Sequence, residues 1–327
     1  MELDQMRIVT RLASLAPSVY NTQPWQFVAD GNDLEVHADT ARALHYLDPA
    51  KRQLHISCGA AVEFARLAVR SLGYTCLVRL APRADDLNLL ATLTIGAPLA
   101  ATPAELRLID AIPRRYTDRE PYDDEPVPTA VLNRLAGAAA EFDCWLRVLD
   151  RPDDRLIAAT LLEAAEAAEA HQVDYRDELA NWRHQGISAD GVPVSVSTCW
   201  TATEVVSDLP LRDFEGHGRH PRPGGEGAPP RVERDTIMLL GSDSDNPHSW
   251  LQTGRALAYL LLELTSAGLV GQPLGPVTDL PGIRTRLGRE FDLLGCPQLM
   301  LRAGYGHGHP RAGRRDVEET LSVVAAH

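Results

Sequence analysis

The chain has 327 residues, a formal net charge of −13 and 44% hydrophobic residues, which are ordinary proportions for a globular protein. At about 150 residues per domain, the length predicts two units. The acidic balance disfavours nucleic-acid and membrane partners, because both need extended basic patches. Five scattered cysteines without CxxC spacing, an acidic N-terminal segment and the lack of a long apolar run indicate a soluble, cytoplasmic protein.

Nearly all the cations are arginine, since Lys51 is the single lysine among 32 basic residues. Arginine suits bidentate binding of phosphate or carboxylate. A biased genome base composition would give the same pattern, and both readings stay open.

The first hundred residues predict a helix, a hairpin, a longer helix and two strands. The first helix stops near Pro17, because proline forces the preceding residue out of the helical region. The predicted elements are a helix over 8–15, strands over 26–29 and 34–37, a helix over 53–71 that ends at Gly73, and strands over 75–80 and 89–95.

Further along, a helix begins at Thr102-Pro103-Ala104-Glu105. The remaining predictions are helices over 129–139 and 154–183, strands over 145–149 and 236–241, helices over 249–266 and 281–287, a strand over 297–304 and a terminal helix over 316–325. Residues 185–234 are rich in Gly, Pro, Ser, Asp and Arg, and such a long irregular segment is functional or disordered.

The order helix, glycine, strand, loop, strand occurs twice, over 53–96 and over 249–304. Ser71-Leu72-Gly73-Tyr74 ends the helix of the first run, and Ser266-Ala267-Gly268-Leu269 ends that of the second. The recurrence predicts two similar halves within one chain.

The stretch Ala16-Pro17-Ser18-Val19-Tyr20-Asn21-Thr22-Gln23-Pro24-Trp25 is the most informative one. Its hydroxyl, its two side-chain amides and the free backbone groups of a helix end suit a flat heterocycle. A helix-terminating loop with one buried tryptophan explains the same residues equally well on physical grounds.

Arginines supply the second candidate site. Arg115, Thr117 and Arg119 alternate, so in an extended segment they point the same way and can grip a phosphate. Alternating surface charge is the plainer reading of this motif. Arg311, Arg314 and Arg315 form a basic cluster near the end of the chain, where exposed arginines are common.

Together these residues resemble the FMN-dependent nitroreductase superfamily, and the resemblance covers most of the chain. Asp48-Pro49-Ala50-Lys51-Arg52, leading into Ile56-Ser57-Cys58-Gly59-Ala60, resembles the Acg-type branch of mycobacteria. The other matching elements are residues 16–25, 115–119, Gln272-Pro273-Leu274-Gly275 and Ala303-Gly304-Tyr305 before Arg314-Arg315.

The resemblance implies an α+β nitroreductase fold with central mixed sheets flanked by helices. In ordinary members of this family, the arginine motif (residues 115–119 here) precedes the motif that contacts the flavin ring (residues 17–25 here). In this chain the order is inverted, and each motif occurs once. This implies a fused pseudo-dimer, expected to be a monomer, with a single FMN site between residues 1–100 and 101–327. The second half carries the lid-like insertion 185–234.

The resemblance also assigns roles to residues. Arg115, Thr117 and Arg119 would hold the phosphate with an arginine of the 311–315 cluster. The ring would meet Pro17, Ser18, Asn21, Gln23, Pro24 and Trp25, and its redox edge would lie near the backbone of Pro273, Leu274 and Gly275. NADPH or NADH would reduce the flavin and an unidentified small molecule would accept the electrons, with no catalytic side chain and no metal.

The segment 185–234 leaves two functions open. A mobile lid would permit oxidoreductase turnover, whereas a fixed lid over the flavin would make the protein a store for FMN, associated with stress or dormancy.

Overall fold

The computed structural model describes residues 1–83, 85–186, 188–193, 205–207, 209, 231–308 and 312–324. Its first elements are α1 (Leu3–Ala13), a 3₁₀ turn (Val19–Asn21), β1 (Trp25–Asp30), β2 (Asp33–Ala38), a 3₁₀ turn (Thr40–Arg42), α2 (Arg52–Ser71), β3 (Tyr74–Leu80) and β4 (Leu89–Pro98). The helices and strands predicted for this region are confirmed.

The following elements form the middle of the chain. They are α3 (Pro103–Ala111), α4 (Thr129–Ala140), β5 (Cys144–Leu149), α5 (Pro152–Ala170), α6 (Val173–Asn181), β6 (Arg183–His184), β7 (Val192–Pro193), β8 (Val205–Val206) and β9 (Arg231–Val232). Helix α3 begins as predicted, because Thr102 and Glu105 cap each other and Pro103 takes the first helical position. The single helix predicted over 154–183 is instead the pair α5 and α6.

The last elements are β10 (Thr236–Ser242), α7 (Pro247–Ser266), β11 (Val270–Pro273), α8 (Pro276–Asp279), α9 (Pro281–Glu290), β12 (Cys296–Gly304), α10 (Val317–Thr320) and β13 (Leu321–Val323). No described helix has the length and apolar character needed to cross a membrane.

Two sheets carry the fold, which is of the α+β class. The first has the order β13-β1-β2-β4-β3 and is antiparallel except where β13 runs parallel to β1. The second has the order β11-β12-β10-β5 and is antiparallel throughout. The predicted mixed sheets flanked by helices are therefore confirmed.

The terminal helix predicted over 316–325 is wrong. The helix α10 ends at Thr320, and the next three residues form β13 beside β1, with Leu321 opposite Phe27. This pairing satisfies backbone groups of β1 that would otherwise lie at an open sheet edge. Residues 321–323 therefore belong to the sheet of the first half.

The helices α2 and α7 cross in the middle of the molecule at a pair of glycines. A Cβ on Gly59 would collide with the carbonyl oxygen of Leu251, and one on Gly254 would collide with that of Ile56. Residues of α7 also pack into the same apolar core as α1, α2 and the first sheet. The two predicted halves therefore share a core.

This crossing gives a first prediction. Gly254→Ala forces the two backbones apart, so we expect it to lower the free energy of unfolding by about 2–3 kcal/mol in urea denaturation followed by circular dichroism. Gly137→Ala on α4, where a Cβ meets open space, is the matched control and should be neutral or stabilising by up to about 1 kcal/mol. Equal stability of the two variants would contradict the close crossing.

Candidate functional site

The turn after α1 has an uncommon backbone conformation. Tyr20, Asn21 and Gln23 have φ angles of 46°, 54° and 49°, in the left-handed region that side chains with a Cβ disfavour. The turn is held by Ser18, whose Oγ accepts the backbone N–H of Gln23 at 3.0 Å, and by Thr22, whose hydroxyl donates to the Val19 carbonyl at 2.9 Å. Strained backbone that is fixed in this way is characteristic of functional sites.

The side-chain amides of the turn bind main chain from distant segments. Gln23 is fully buried, and its Nε2 donates to the Ala189 carbonyl at 2.8 Å while its Oε1 accepts the Arg315 backbone N–H at 2.9 Å. Asn21 Nδ2 donates to the carbonyls of Gly191 and Gly313 at 3.1 and 3.2 Å. These amides therefore tie the turn to the start of the 185–234 segment and to the C-terminal region.

Two adjoining cavities lie beside this turn. The first has a volume of about 140 Å³ and the second about 100 Å³. Both are lined by Pro17, Ser18, Thr117 and Arg119, so the turn and the arginine motif form their common wall.

The first cavity is mostly apolar, and residues from both predicted halves line it. Ile56 of α2, Leu162 of α5, Leu257 of α7 and Leu299 of β12 form apolar walls. Pro273, Leu274 and Gly275 line another side. Apolar walls of this kind suit the faces of an aromatic ring.

The second cavity is bordered by arginines. Arg115 and Arg314 line it together with Arg119 of the common wall. Arg115 is 7% exposed, and its Nη1 lies 3.5 Å from Thr117 Oγ1. The guanidinium of Arg314 donates to the carbonyls of Leu15 and Ala16 at 3.3 and 3.4 Å. Guanidinium groups concentrated in one cavity suit an anionic group such as phosphate.

The structure thus brings together most of the predicted site residues. Those that line a cavity are Pro17, Ser18, Asn21, Arg115, Thr117, Arg119, Pro273, Leu274, Gly275 and Arg314. Arg311 lies outside the described residues.

Four predicted residues do not line either cavity: Gln23, Pro24, Trp25 and Arg315. Trp25 is fully buried in the core of the first sheet. The guanidinium of Arg315 binds the Gln23 carbonyl at 3.1 Å and lies 3.4 Å from the Asp39 carboxylate. Gln23 and Arg315 therefore stabilise the turn, and contact of the four residues with a ring stays a prediction.

Sequence reasoning missed two glutamines in the first cavity, Gln53 and Gln272. Gln272 is the first residue of the Gln272–Gly275 motif, and Gln53 directly follows Arg52, the last residue of the 48–52 motif. The fold, not a local sequence pattern, brings their buried polar side chains into this cavity.

Comparison with individual known proteins shows the family of the chain, although no family model matches it. A Mycobacterium tuberculosis protein provisionally named NAD(P)H nitroreductase Rv3131 is 32% identical over 311 residues, covering 93% of this chain and 86% of the relative. The chain belongs to the nitroreductase superfamily.

Two further matches agree with this assignment. The provisionally named NAD(P)H nitroreductase Acg of Mycobacterium tuberculosis is 26% identical over 330 residues, covering 98% of this nitroreductase-family chain and 96% of Acg. A crystal structure of a provisionally named nitroreductase from Anabaena variabilis has the same fold, with a TM-score of 0.54 and 9% identity over 93% of this chain and 88% of that one. The α+β nitroreductase fold is confirmed.

A buried carboxyl group near the cavity gives a prediction on pH. Asp48 accepts the Leu54 backbone N–H at 2.8 Å at the start of α2, and burial raises its pKa from 3.8 to about 6. Between these values the folded chain binds a proton that the unfolded chain does not, so this group makes stability fall as pH rises through the window.

We therefore expect Asp48→Asn, which keeps the acceptor oxygen, to gain stability relative to wild type as pH rises from about 4 to 7. Urea denaturation of both proteins at matched pH values measures the difference. A difference that stays constant across this range would contradict the shifted pKa.

Proposed function

We propose that this nitroreductase-family chain is an FMN-binding, NAD(P)H-dependent oxidoreductase. The observation that carries the proposal is the pair of adjoining cavities, one bordered by Arg115, Arg119 and Arg314 and the other mostly apolar. An FMN molecule has the same division into an anionic phosphate end and a flat ring. The names of the relatives support the reaction class.

The residues present fit this cofactor. The arginines and the Thr117 hydroxyl would hold the phosphate, and the Pro17–Ser18 turn and the 273–275 backbone would flank the ring. FMN, when bound, supplies hydride chemistry from NADPH or NADH to a small-molecule acceptor. The chain itself binds and orients the reacting partners, and the apolar side chains of Ile56, Leu257 and Leu299 exclude water.

We also propose that each chain is a fused pseudo-dimer with one flavin site and acts as a monomer. Gly59 and Gly254 each stand at the eighth position of a 20-residue helix, which supports the equivalence of α2 and α7. A separate groove, which residues of both helices line, contains ion pairs. There Glu63 binds Arg255 at 3.0 Å and Arg66 at 2.8 Å.

If Arg115 binds the phosphate, its replacement should weaken the binding of FMN but not that of riboflavin, which has no phosphate. Arg115→Met should weaken FMN binding about 10- to 100-fold, because it removes charge-assisted hydrogen bonds, and should leave riboflavin binding nearly unchanged. Quenching of flavin fluorescence measures both. Arg114→Met, at the neighbouring exposed arginine that pairs with Asp110, is the matched control. Equal loss of both flavins in the Arg115 variant would contradict the assignment.

The described start of the insertion favours a second candidate function, FMN storage. Gly191, Val192 and Pro193 line the second cavity, and Gly191 is hydrogen-bonded to Asn21 through its carbonyl at 3.1 Å and through its N–H at 3.3 Å. These contacts narrow access to the cavity from that side.

Stopped-flow reduction separates enzyme from store. For an oxidoreductase, anaerobic mixing with NADPH or NADH should bleach the bound flavin at least about tenfold faster than free FMN, because the protein aligns donor and ring. Free FMN in the same buffer is the control. A rate no higher than that of free FMN with both nucleotides would support storage and contradict the proposed enzyme.

A further inference from the structure

Two buried glutamines, which were not among the predicted site residues, line the first cavity. Gln53 is 6% exposed and Gln272 is 5% exposed, and both line the cavity. Glutamine side chains are seldom buried to this extent unless hydrogen bonds satisfy them. Each glutamine uses one end of its amide to bind a buried ion pair.

The orientation of the Gln272 amide is set by Arg302. The Oε1 atom of Gln272 accepts from Arg302 Nε at 2.6 Å, and a guanidinium can only donate. Arg302 is fully buried and fixed by the Glu233 carboxylate at 3.0 Å and the Glu120 carbonyl at 2.7 Å. The carbonyl end of Gln272 therefore faces Arg302, and its NH₂ group is the free end.

Gln53 has the opposite orientation. Its Nε2 donates to Asp279 Oδ1 at 2.6 Å, and the same oxygen accepts from Arg52 at 2.7 Å in a buried ion pair. A carboxylate paired with arginine can only accept, so the amide nitrogen of Gln53 must face it. The carbonyl oxygen of Gln53 is therefore the free end.

These free ends are available to a ligand. Within the parts of the chain that the structure describes, Gln53 Oε1 and Gln272 Nε2 have no hydrogen-bond partner, and neither is sealed inside protein. By contrast, main-chain groups already bind the amides of Asn21 and Gln23. The cavity thus offers one fixed acceptor and one fixed donor from two separate elements.

We propose that Gln53 and Gln272 bind the imide edge of the flavin ring, an assignment that rests on the proposed FMN function. An imide presents an N–H beside two carbonyl oxygens. The N–H donates to Gln53 Oε1, and a neighbouring carbonyl accepts from Gln272 Nε2. The two ion pairs act as positioning groups, because they hold each amide in the orientation that this edge requires.

The test compares FMN with FMN methylated at the imide nitrogen, using quenching of flavin fluorescence. Methylation removes the N–H, so the wild-type protein should bind the methylated flavin about tenfold more weakly. Gln53→Met should weaken FMN binding by a similar factor and abolish the discrimination. Gln272→Met should weaken both flavins about equally.

Gln252→Met is the matched control, since Gln252 lies on α7 outside the described cavities and should leave both affinities unchanged. Equal wild-type affinity for the two flavins would overturn the assignment, and this measurement does not depend on the folding of any variant. Discrimination that persists in Gln53→Met would also overturn it. Failure of the wild-type protein to bind either flavin would instead overturn the proposed function on which the assignment rests.

Discussion

The contact between the backbones of α2 and α7 at Gly59 and Gly254 is the constraint on which the site depends. Without a Cβ on either glycine the helices approach closely enough for the first turns of α2 to reach the second half of the chain. Arg52, at the start of α2, donates to the Thr278 carbonyl at 2.8 Å and pairs with Asp279. If the two helices lay farther apart, Arg52 would move away from Thr278 and Asp279, and the cavity wall would open.

The conformation of the turn at residues 18–23 depends on hydrogen bonds that offset the cost of its strained backbone. Each left-handed residue costs about 1–3 kcal/mol, so three of them persist only because surrounding bonds fix the conformation. Asn21 and Gln23 supply several of those bonds by holding segments 189–191 and 313–315. Their amides therefore build the site, while glutamines from α2 and β11 face its interior.

Much of the site could be predicted because proline, paired amides and alternating arginines are local signals. Residues 17–21 and 115–119 carry such signals, whereas the role of 273–275 comes from the family resemblance. The fold brings all three segments together across more than 250 positions of the sequence. Gln53 and Gln272 carry no comparable signal, because their orientation depends on ion pairs formed by residues distant in the chain. Only the folded arrangement reveals that each amide has one bound end and one free end.

Interactions between distant residues also explain an error in the predicted secondary structure. Residues 317–324 have local helical character, but pairing with β1 outweighs it from Leu321 onward. The helix predicted over 154–183 stops at Ala170 and restarts at Val173. Tertiary pairing, which no local pattern encodes, sets the first of these boundaries.

A crystal structure of the protein with bound FMN would show whether a flavin site lies where the two halves meet. We expect one FMN per chain, with its phosphate beside Arg115 and Arg314 and its ring between Pro17–Ser18 and the 273–275 backbone. Flavin bound instead in the groove of Arg66 and Arg255, or two flavins per chain, would contradict it.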